Sequence, residues 1–399
     1  MTAEITNVEV SFGRYPLARP LKISPGVIRD VPQVFVVADV RAGGKSVAGL
    51  GHASSSVLWA DRRTLKPEEK ESQLKKCLAE TARKLRKFVF SSPFDFYNFF
   101  VLRNTSELPD LSYVMALSPI DMAIWDAYAK LRGLHVFDLP GVRTRTDYAE
   151  PQKVAVMHLI SVEDDLDGVR DSIVREGISF FKIKLAGIPA ADAGRVNAVC
   201  GISGVAKVAA DANEAYPSAE KLEEFFLMLD EKVRDDILFL EQPFPRDSSI
   251  SAWGFKKKTP IFADESYAYP VDIKKVFQRG YSGAAMKPHA KTFSGTLLAL
   301  DDVRKNGMSF AFTDLTTAPP IGYAVGLMCG ARLSGVGGVE LNGSQYYRDW
   351  DNLITLGFPD MRDAFRAQNG CIRADALFTK EGWGISDEAF KKYAGLVKE

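Results

Sequence analysis

Eight short apolar runs, separated by helix-like stretches, divide the chain between residues 153 and 342. They read VAVMHLI, SFFKIKL, AKVAAD, ILFLEQ, PIFADE, GAAMK, MSFAFTD and GGVELN. Runs this short, alternating with helical segments, point to parallel strands joined by helical crossovers, and eight such units suggest a closed (β/α)-barrel. A barrel of that kind gathers its functional groups at the C-terminal ends of its strands.

The flanks lack this rhythm. ITNVEV, VFVVADV, the turn RAGGKS and VAGLGHA read as an antiparallel meander. Two helices follow. KPEEKESQLKKCLAETARKLRKF has Leu74, Leu78 and Leu85 at helical spacing. SPIDMAIWDAYAKLRG is expected to start at Ser118 as N-cap with Pro119 in the first turn, and to stop at Gly133. The segment after the barrel, with GWGIS and DEAFKKYAGLV, is expected to return to the first unit. The fold class is therefore α/β: a modified, TIM-like barrel over residues 131–350, with an α+β cap built from residues 1–130 and completed by residues 351–399.

Lys+Arg and Asp+Glu both number 51, so the formal net charge is zero and nothing favours a nucleic-acid partner. The start MTAEITNVEV resembles no leader, and no stretch is long and apolar enough to span a bilayer, so a cytoplasmic protein without membrane association is expected. Cys77, Cys200, Cys329 and Cys371 form no CxxC pair, which supports neither a zinc site nor a disulfide framework.

Five of the apolar runs carry ionisable residues at or near their ends. On the second, Phe181, Ile183 and Leu185 alternate with Lys182 and Lys184, so both ammonium groups share the other face of the strand. The third ends at Asp211, the fourth at Glu241, the fifth at Asp264 and the sixth at Lys287. Each alone fits a helix cap or a solvated lysine. Together they face one mouth. Three carboxylates on successive strands repel one another unless a cation lies between them, and hard oxygen ligands suit Mg²⁺, with Mn²⁺ as a substitute. Lysines on both sides of that cation, with one lowered to about 7–8, would serve as bases at neutral pH. That arrangement suits removal of the proton next to a small-molecule carboxylate.

In order and spacing, KIK at 182–184, DANEAY at 211–216, LEQPF at 240–244, ADES at 263–266 and MKPHAK at 286–291 resemble the enolase superfamily, and within it the muconate lactonizing enzyme branch. The resemblance implies Asp211, Glu241 and Asp264 as metal ligands. It makes Lys184 the base on one face of the substrate and Lys287 the acid or base on the other, with Lys182 tuning Lys184 or meeting the substrate carboxylate. Asn213 and Glu265 would support these groups from behind. A homo-oligomer is also implied, and the loop RYPLARPLKISPGVIRDVP, residues 14 to 32, would close over the site.

The sequence departs from related branches at several points. The run MSFAFTD has no histidine where the mandelate racemase branch carries one, which leaves Lys287 as the second base. VELNGSQ lacks the Asp-x-Asp of dipeptide epimerases. His158, His289, Asp314, Glu340 and Asn342 stand at strand ends where substrate contacts are expected, and His52 in GHA faces either the substrate or the cap. Racemisation or epimerisation, cycloisomerisation, and elimination of the dehydratase or succinylbenzoate synthase kind all share the first step. A carboxylate-binding protein without catalysis is a further alternative, which would be marked by a missing lysine or ligand.

Overall fold

The computed structural model describes residues 2–255, 259–357, 361–362 and 365–396. Strands β1 (Ala3–Ile23), β2 (Gly26–Ala42), β3 (Lys45–Ser54) and β4 (Val89–Phe90) form an antiparallel sheet in the order β3-β2-β1-β4. The expected meander is present, but its first hairpin is much longer than the sequence suggested. Residues 14 to 32 are not a loop: Arg14 pairs with Pro32 and Leu21 with Ile28, with an irregularity between Pro16 and Leu21. The hairpin still leans on the barrel mouth. Lys22 and Ser161 exchange two hydrogen bonds of 3.0 Å, Arg19 pairs with Asp164 at 2.9 Å, and Leu17 bridges to Tyr347.

All eight expected barrel strands are present: β5 (Lys153–Ile160), β6 (Phe180–Lys184), β7 (Lys207–Asp211), β8 (Ile237–Glu241), β9 (Ile261–Ala263), β10 (Gly283–Met286), β11 (Ser309–Phe312) and β12 (Val339–Glu340). They run parallel in chain order, and β12 returns to β5 through Val339↔Val156 and Glu340↔Met157, which closes the barrel. Strand β13 (Cys371–Arg373) lies antiparallel to β5 at Lys153–Ala155, where β12 does not reach. Alternation sorts the strand residues as expected. Phe181, Ile183 and Leu185 join the core between strands and helices, while Met157, Ala209, Phe239, Phe262 and Ala311 fill the inside of the barrel. The rings of Phe239 and Phe262 stack at 4.5 Å and form part of an apolar floor for whatever lies two residues further along each strand.

The helix expected to start at Ser118 starts at Asp110 and runs to Arg132, with Pro119 inside it and Gly133 as a left-handed C-cap at φ 64°. Every residue from Leu111 to Ala127 is buried. A helix buried on all faces shows no amphipathic stripe, so Pro119 passed for its first turn. One side lies against β3 at backbone distance: a Cβ on Gly51 would sit 1.8 Å from the Pro119 carbonyl oxygen, and one on Gly49 would sit 2.1 Å from that of Ala123. The other side meets the barrel, where Asp121 accepts hydrogen bonds from the backbone N–H and hydroxyl of Ser294 at 2.9 and 2.6 Å. The C-terminal segment packs on the same helix. Trp383 donates its backbone N–H to Asp126 and its indole N–H to the Met122 carbonyl. The helix Asp387–Leu396 lays Phe390 against Phe35 and Tyr393 beside His52.

Two outcomes are expected. Gly51→Ala, which forces a side chain into backbone, should lower stability by at least about 2 kcal/mol in chemical denaturation. Burial pushes the Asp121 carboxyl up to about 7. Its contribution is full below the unfolded value of 3.8 and is lost as pH rises towards 7. The stability of the native sequence relative to Asp121→Asn should therefore fall across that window, with a slope of up to about 1.4 kcal/mol per pH unit.

Candidate active site

Register sets the site. Lys184 on β6 is level with Asp211 on β7, and Asp211 with Glu241 on β8. Asp264 follows β9 and Lys287 follows β10, each with its charge turned into the barrel mouth. Lys182 lies two residues deeper than Lys184. It is fully buried, with its ammonium 2.7 Å from Glu241, 3.2 Å from Asp211 and 2.8 Å from Glu340. The polar face of β6 is therefore not a solvated one.

The structure alters the charge count. Glu340, expected to meet substrate, is the ion-pair partner of Lys182 and accepts the Asp314 backbone N–H at 3.0 Å. A fourth lysine, Lys291, pairs with Asp264 at 2.9 Å. The cluster thus holds four ammonium groups and four carboxylates rather than three of each. Lys184 contacts Asp211 at 2.6 Å and donates to Asn213 at 2.9 Å, and Asn213 donates to Glu265 at 3.0 Å. Asn213 is held in the left-handed region at φ 41° and takes its backbone N–H to Asp211, so it aims its carbonyl at Lys184 from behind. Lys287 meets Asp264 at 3.0 Å and donates to the Asp314 carbonyl at 3.0 Å.

Electrostatics follow from burial set against these contacts. Burial alone would lower Lys182 and Lys287, yet Glu241, Glu340 and Asp211 around the first, and Asp264 and Glu241 around the second, outweigh it and raise both. In this arrangement carboxylates, not cations, are their nearest neighbours. The lysine brought down, by burial, is Lys291, to about 8. Burial opposes ionisation of Asp211, but Lys184 and Lys182 outweigh it and hold the carboxyl down at about 2. Burial and the neighbouring Asp264 push Glu265 up to about 8, so this acid is protonated at neutral pH.

A divalent cation fits the donor set. Asp211, Glu241 and Asp264 offer hard carboxylate oxygens, and Glu241 receives no hydrogen bond on either oxygen, only the ammonium groups of Lys182 at 2.7 Å and Lys287 at 3.7 Å. Burial, and Asp211 beside it, push Glu241 up to about 7 against the pull of Lys182. Among the described residues no three His, Cys, Asp or Glu side chains stand ready as a metal cage. The ammonium groups lie among the carboxylates.

Other expected contacts separate. His158 turns outward, its Nδ1 3.2 Å from the Ser172 hydroxyl on the helix Asp167–Glu176, and lies outside the mouth. It shares the parity of Val156 and Ile160. His52 serves the cap: Nε2 meets Gln33 at 3.0 Å, and Nδ1 accepts the Gly322 backbone N–H at 3.3 Å. The Asp314 carboxylate accepts backbone N–H groups of Leu315, Thr317 and Asn342, which makes it a loop cap. His289 does stand at the mouth, buried, 3.7 Å from Asp314, with no hydrogen bond on either ring nitrogen. Burial and Lys287 push it down to about 3, so the imidazole is neutral. Asn342, whose backbone N–H reaches the same Asp314 carboxylate, has an unbonded side-chain carbonyl oxygen.

Trp59 is the contact that sequence reading missed. It sits in the short cap helix Val57–Ala60, donates its indole N–H to Asp264 at 3.1 Å, and places its ring 5.3 Å from the Lys287 ammonium. Arg246 clamps this helix by donating to the carbonyls of Trp59 and Ala60 while pairing with Glu214 at 2.8 Å. Its only sequence signal was an aromatic residue in the loop after a cap strand.

Residues 165–388, over half of the chain, match the family model Enolase C-terminal domain-like. The chain belongs to the enolase superfamily. An o-succinylbenzoate synthase of Listeria innocua is 29% identical over 171 residues, which is 42% of this chain and 42% of that protein. The match thus spans about two-fifths of the length of that curated relative. A muconate lactonizing enzyme of Mucobacterium Smegmatis, solved with muconolactone, superposes with a TM-score of 0.75 at 17% identity, covering 99% of this chain and 100% of that one. A dipeptide epimerase of Enterococcus faecalis, solved with Mg and the dipeptide L-Leu-L-Tyr, superposes with a TM-score of 0.68 at 16% identity, covering 85% and 90%. These two share the superfamily's capped barrel with this chain.

Removing the central ammonium should be costly. Lys182→Met leaves Glu241 and Glu340 buried without it and should lower stability by about 3–5 kcal/mol in urea denaturation at pH 7, with part recovered in Lys182→Met/Glu340→Gln.

Proposed function

We propose that this protein enolises a small-molecule carboxylate by removing the proton from the carbon next to it. The observation that carries this reading is the placing of ammonium groups on either side of the three carboxylates: Lys184 on β6 and Lys287 after β10, with Asp211, Glu241 and Asp264 on the strands between. Asp211, Glu241 and Asp264 would hold Mg²⁺, which when bound would stabilise the negative charge that grows on the substrate carboxylate. Lys184 is the proton-transfer group on one face, oriented by Asn213. Lys287 serves the other face, its ammonium held by Asp264 and the Asp314 carbonyl. Lys182 neither reaches the mouth nor titrates near neutrality. Its part is to draw Glu241 and Glu340 towards their charged forms and to hold them in place. Trp59 and the floor under the cluster exclude water, which keeps the electrostatic interactions strong.

The fate of the enolate depends on the substrate. Return of a proton from the opposite lysine gives racemisation or epimerisation. Departure of a group from the next carbon gives elimination, the class to which the o-succinylbenzoate synthase relative belongs. His289 and Asn342, buried and short of hydrogen-bond partners, would receive a polar group on the substrate beyond its carboxylate.

Incubation in D₂O with Mg²⁺ and pooled N-acyl amino acids, dipeptides, acid sugars and lactones should add one mass unit to one compound, with exchange reduced by roughly 10²–10⁴-fold in Lys184→Ala. Inversion or loss of a group in that compound separates the two outcomes. Binding of Mg²⁺ without exchange of any compound by the native chain would count against the enolisation reading.

A further inference from the structure

Lys291 has no part in the chemistry just described, yet it is one of the most enclosed charged groups in the molecule. It is 2% exposed. Its ammonium donates to the backbone carbonyl of Asp264 at 2.7 Å and lies 2.9 Å from Oδ1 of the same residue. The Tyr267 ring covers it at 3.3 Å from the ring centroid, and the Trp59 ring stands at 5.9 Å. The Tyr267 hydroxyl is tied to the Ala285 carbonyl, which fixes that ring. Carboxylate, carbonyl and two aromatic faces thus box in the ammonium. Lys184, in contrast, keeps 8% of its surface exposed at the mouth.

The two oxygens of Asp264 are divided between separate partners. Oδ1 faces Lys291, while Oδ2 faces Lys287 at 3.0 Å and the Trp59 indole N–H at 3.1 Å. We propose that Lys291 is a built-in counter-ion to Asp264, one that occupies Oδ1 and weakens metal binding, so that the site stays folded and exchangeable without its cation. This rests on the reading of Asp264 as a metal ligand. The sign follows from Coulomb's law: a fixed positive charge against one oxygen of a carboxylate repels a cation approaching the other, and in a buried cluster that repulsion is poorly screened. The cation–π contacts with Tyr267 and Trp59 replace part of the hydration the ammonium has lost, which favours its charged form. Lys291 is therefore a positioning residue, acting on metal affinity through Asp264.

The test is calorimetric titration of MgCl₂ into metal-free full-length protein. Lys291→Gln keeps a donor for the Asp264 carbonyl and removes the charge; Lys291→Arg keeps the charge. Lys291→Gln should bind Mg²⁺ on the order of ten- to a hundredfold more tightly than the native sequence, the range over which groups behind a ligand act, and Lys291→Arg should stay close to it. Without Mg²⁺ the thermal midpoint of Lys291→Gln should fall, and saturating Mg²⁺ should restore it. Unchanged or weaker Mg²⁺ binding in Lys291→Gln overturns the counter-ion role and makes Lys291 only an orienting group. Absence of Mg²⁺ binding by the native protein, or native affinity in Asp264→Asn, overturns instead the ligand assignment on which the inference stands. Should Lys291→Gln fail to fold without Mg²⁺, rescue by Mg²⁺ or by the double change Lys291→Gln/Asp264→Asn supports the pairing, and failure of both rescues overturns it.

Discussion

The buried ammonium of Lys182 is the interaction on which the site depends. It touches carboxylates from three other strands, Asp211 on β7, Glu241 on β8 and Glu340 on β12, and so joins both sides of the closure around the barrel mouth. Ions sequestered in this way lose hydration that only close partners can replace. The strand register supplies those partners. Because Lys184, Asp211 and Glu241 are level on adjacent strands, a register slip in any of the three would turn its charge towards the helices, where Phe181, Ile183 and Leu240 now pack. Charge pairing and apolar packing therefore select the same register.

The cap completes the site as well as covering it. Trp59 supplies a hydrogen bond to Asp264 from outside the barrel, and Arg246 holds the Trp59 segment against the loops after β7 and β8 through Glu214. Arg62 adds a second guanidinium to Glu214 at 2.6 Å and reaches the Asn213 carbonyl. The loop that aims Lys184 and the cap helix that covers Lys287 are thus fastened to one carboxylate. Lys184 keeps 8% of its surface exposed and Lys287 only 2%.

Much of this was legible because alternation and strand ends are local properties. Lys182, Lys184, Asp211, Glu241, Asp264 and Lys287 were expected at one mouth from the eight apolar runs, and all six converge, with Lys182 beneath the mouth rather than in it. What was not legible depended on length or on long-range partners. The hairpin reaching from β1 into β2 outruns its apolar core because its outer half is stabilised by barrel loops through Ser161 and Asp164. His158 was assigned to the mouth by position in its run, although its parity with Val156 and Ile160 pointed outward. Glu340 read as a substrate contact because nothing local reveals that Lys182 lies opposite it across the barrel closure. Lys291 stood in a quoted motif, but a lysine five residues past a strand end is ordinarily solvated. Only the rings of Tyr267 and Trp59, brought from elsewhere in the chain, make it a buried charge.

Strand β12 is only two residues long, so the edge of β5 that it leaves bare at Lys153–Ala155 is taken by β13. The barrel seam is therefore sealed by a segment about two hundred residues later in the chain than the strand it protects. During synthesis, when elements form in the order they emerge, β5 waits with that edge open until Cys371–Arg373 has been made, and Trp383 reaches the Asp110–Arg132 helix later still. This later segment thus acts as a fastener, and a nascent chain halted before it would hold every residue of the charged cluster yet expose an unpaired strand edge to its neighbours.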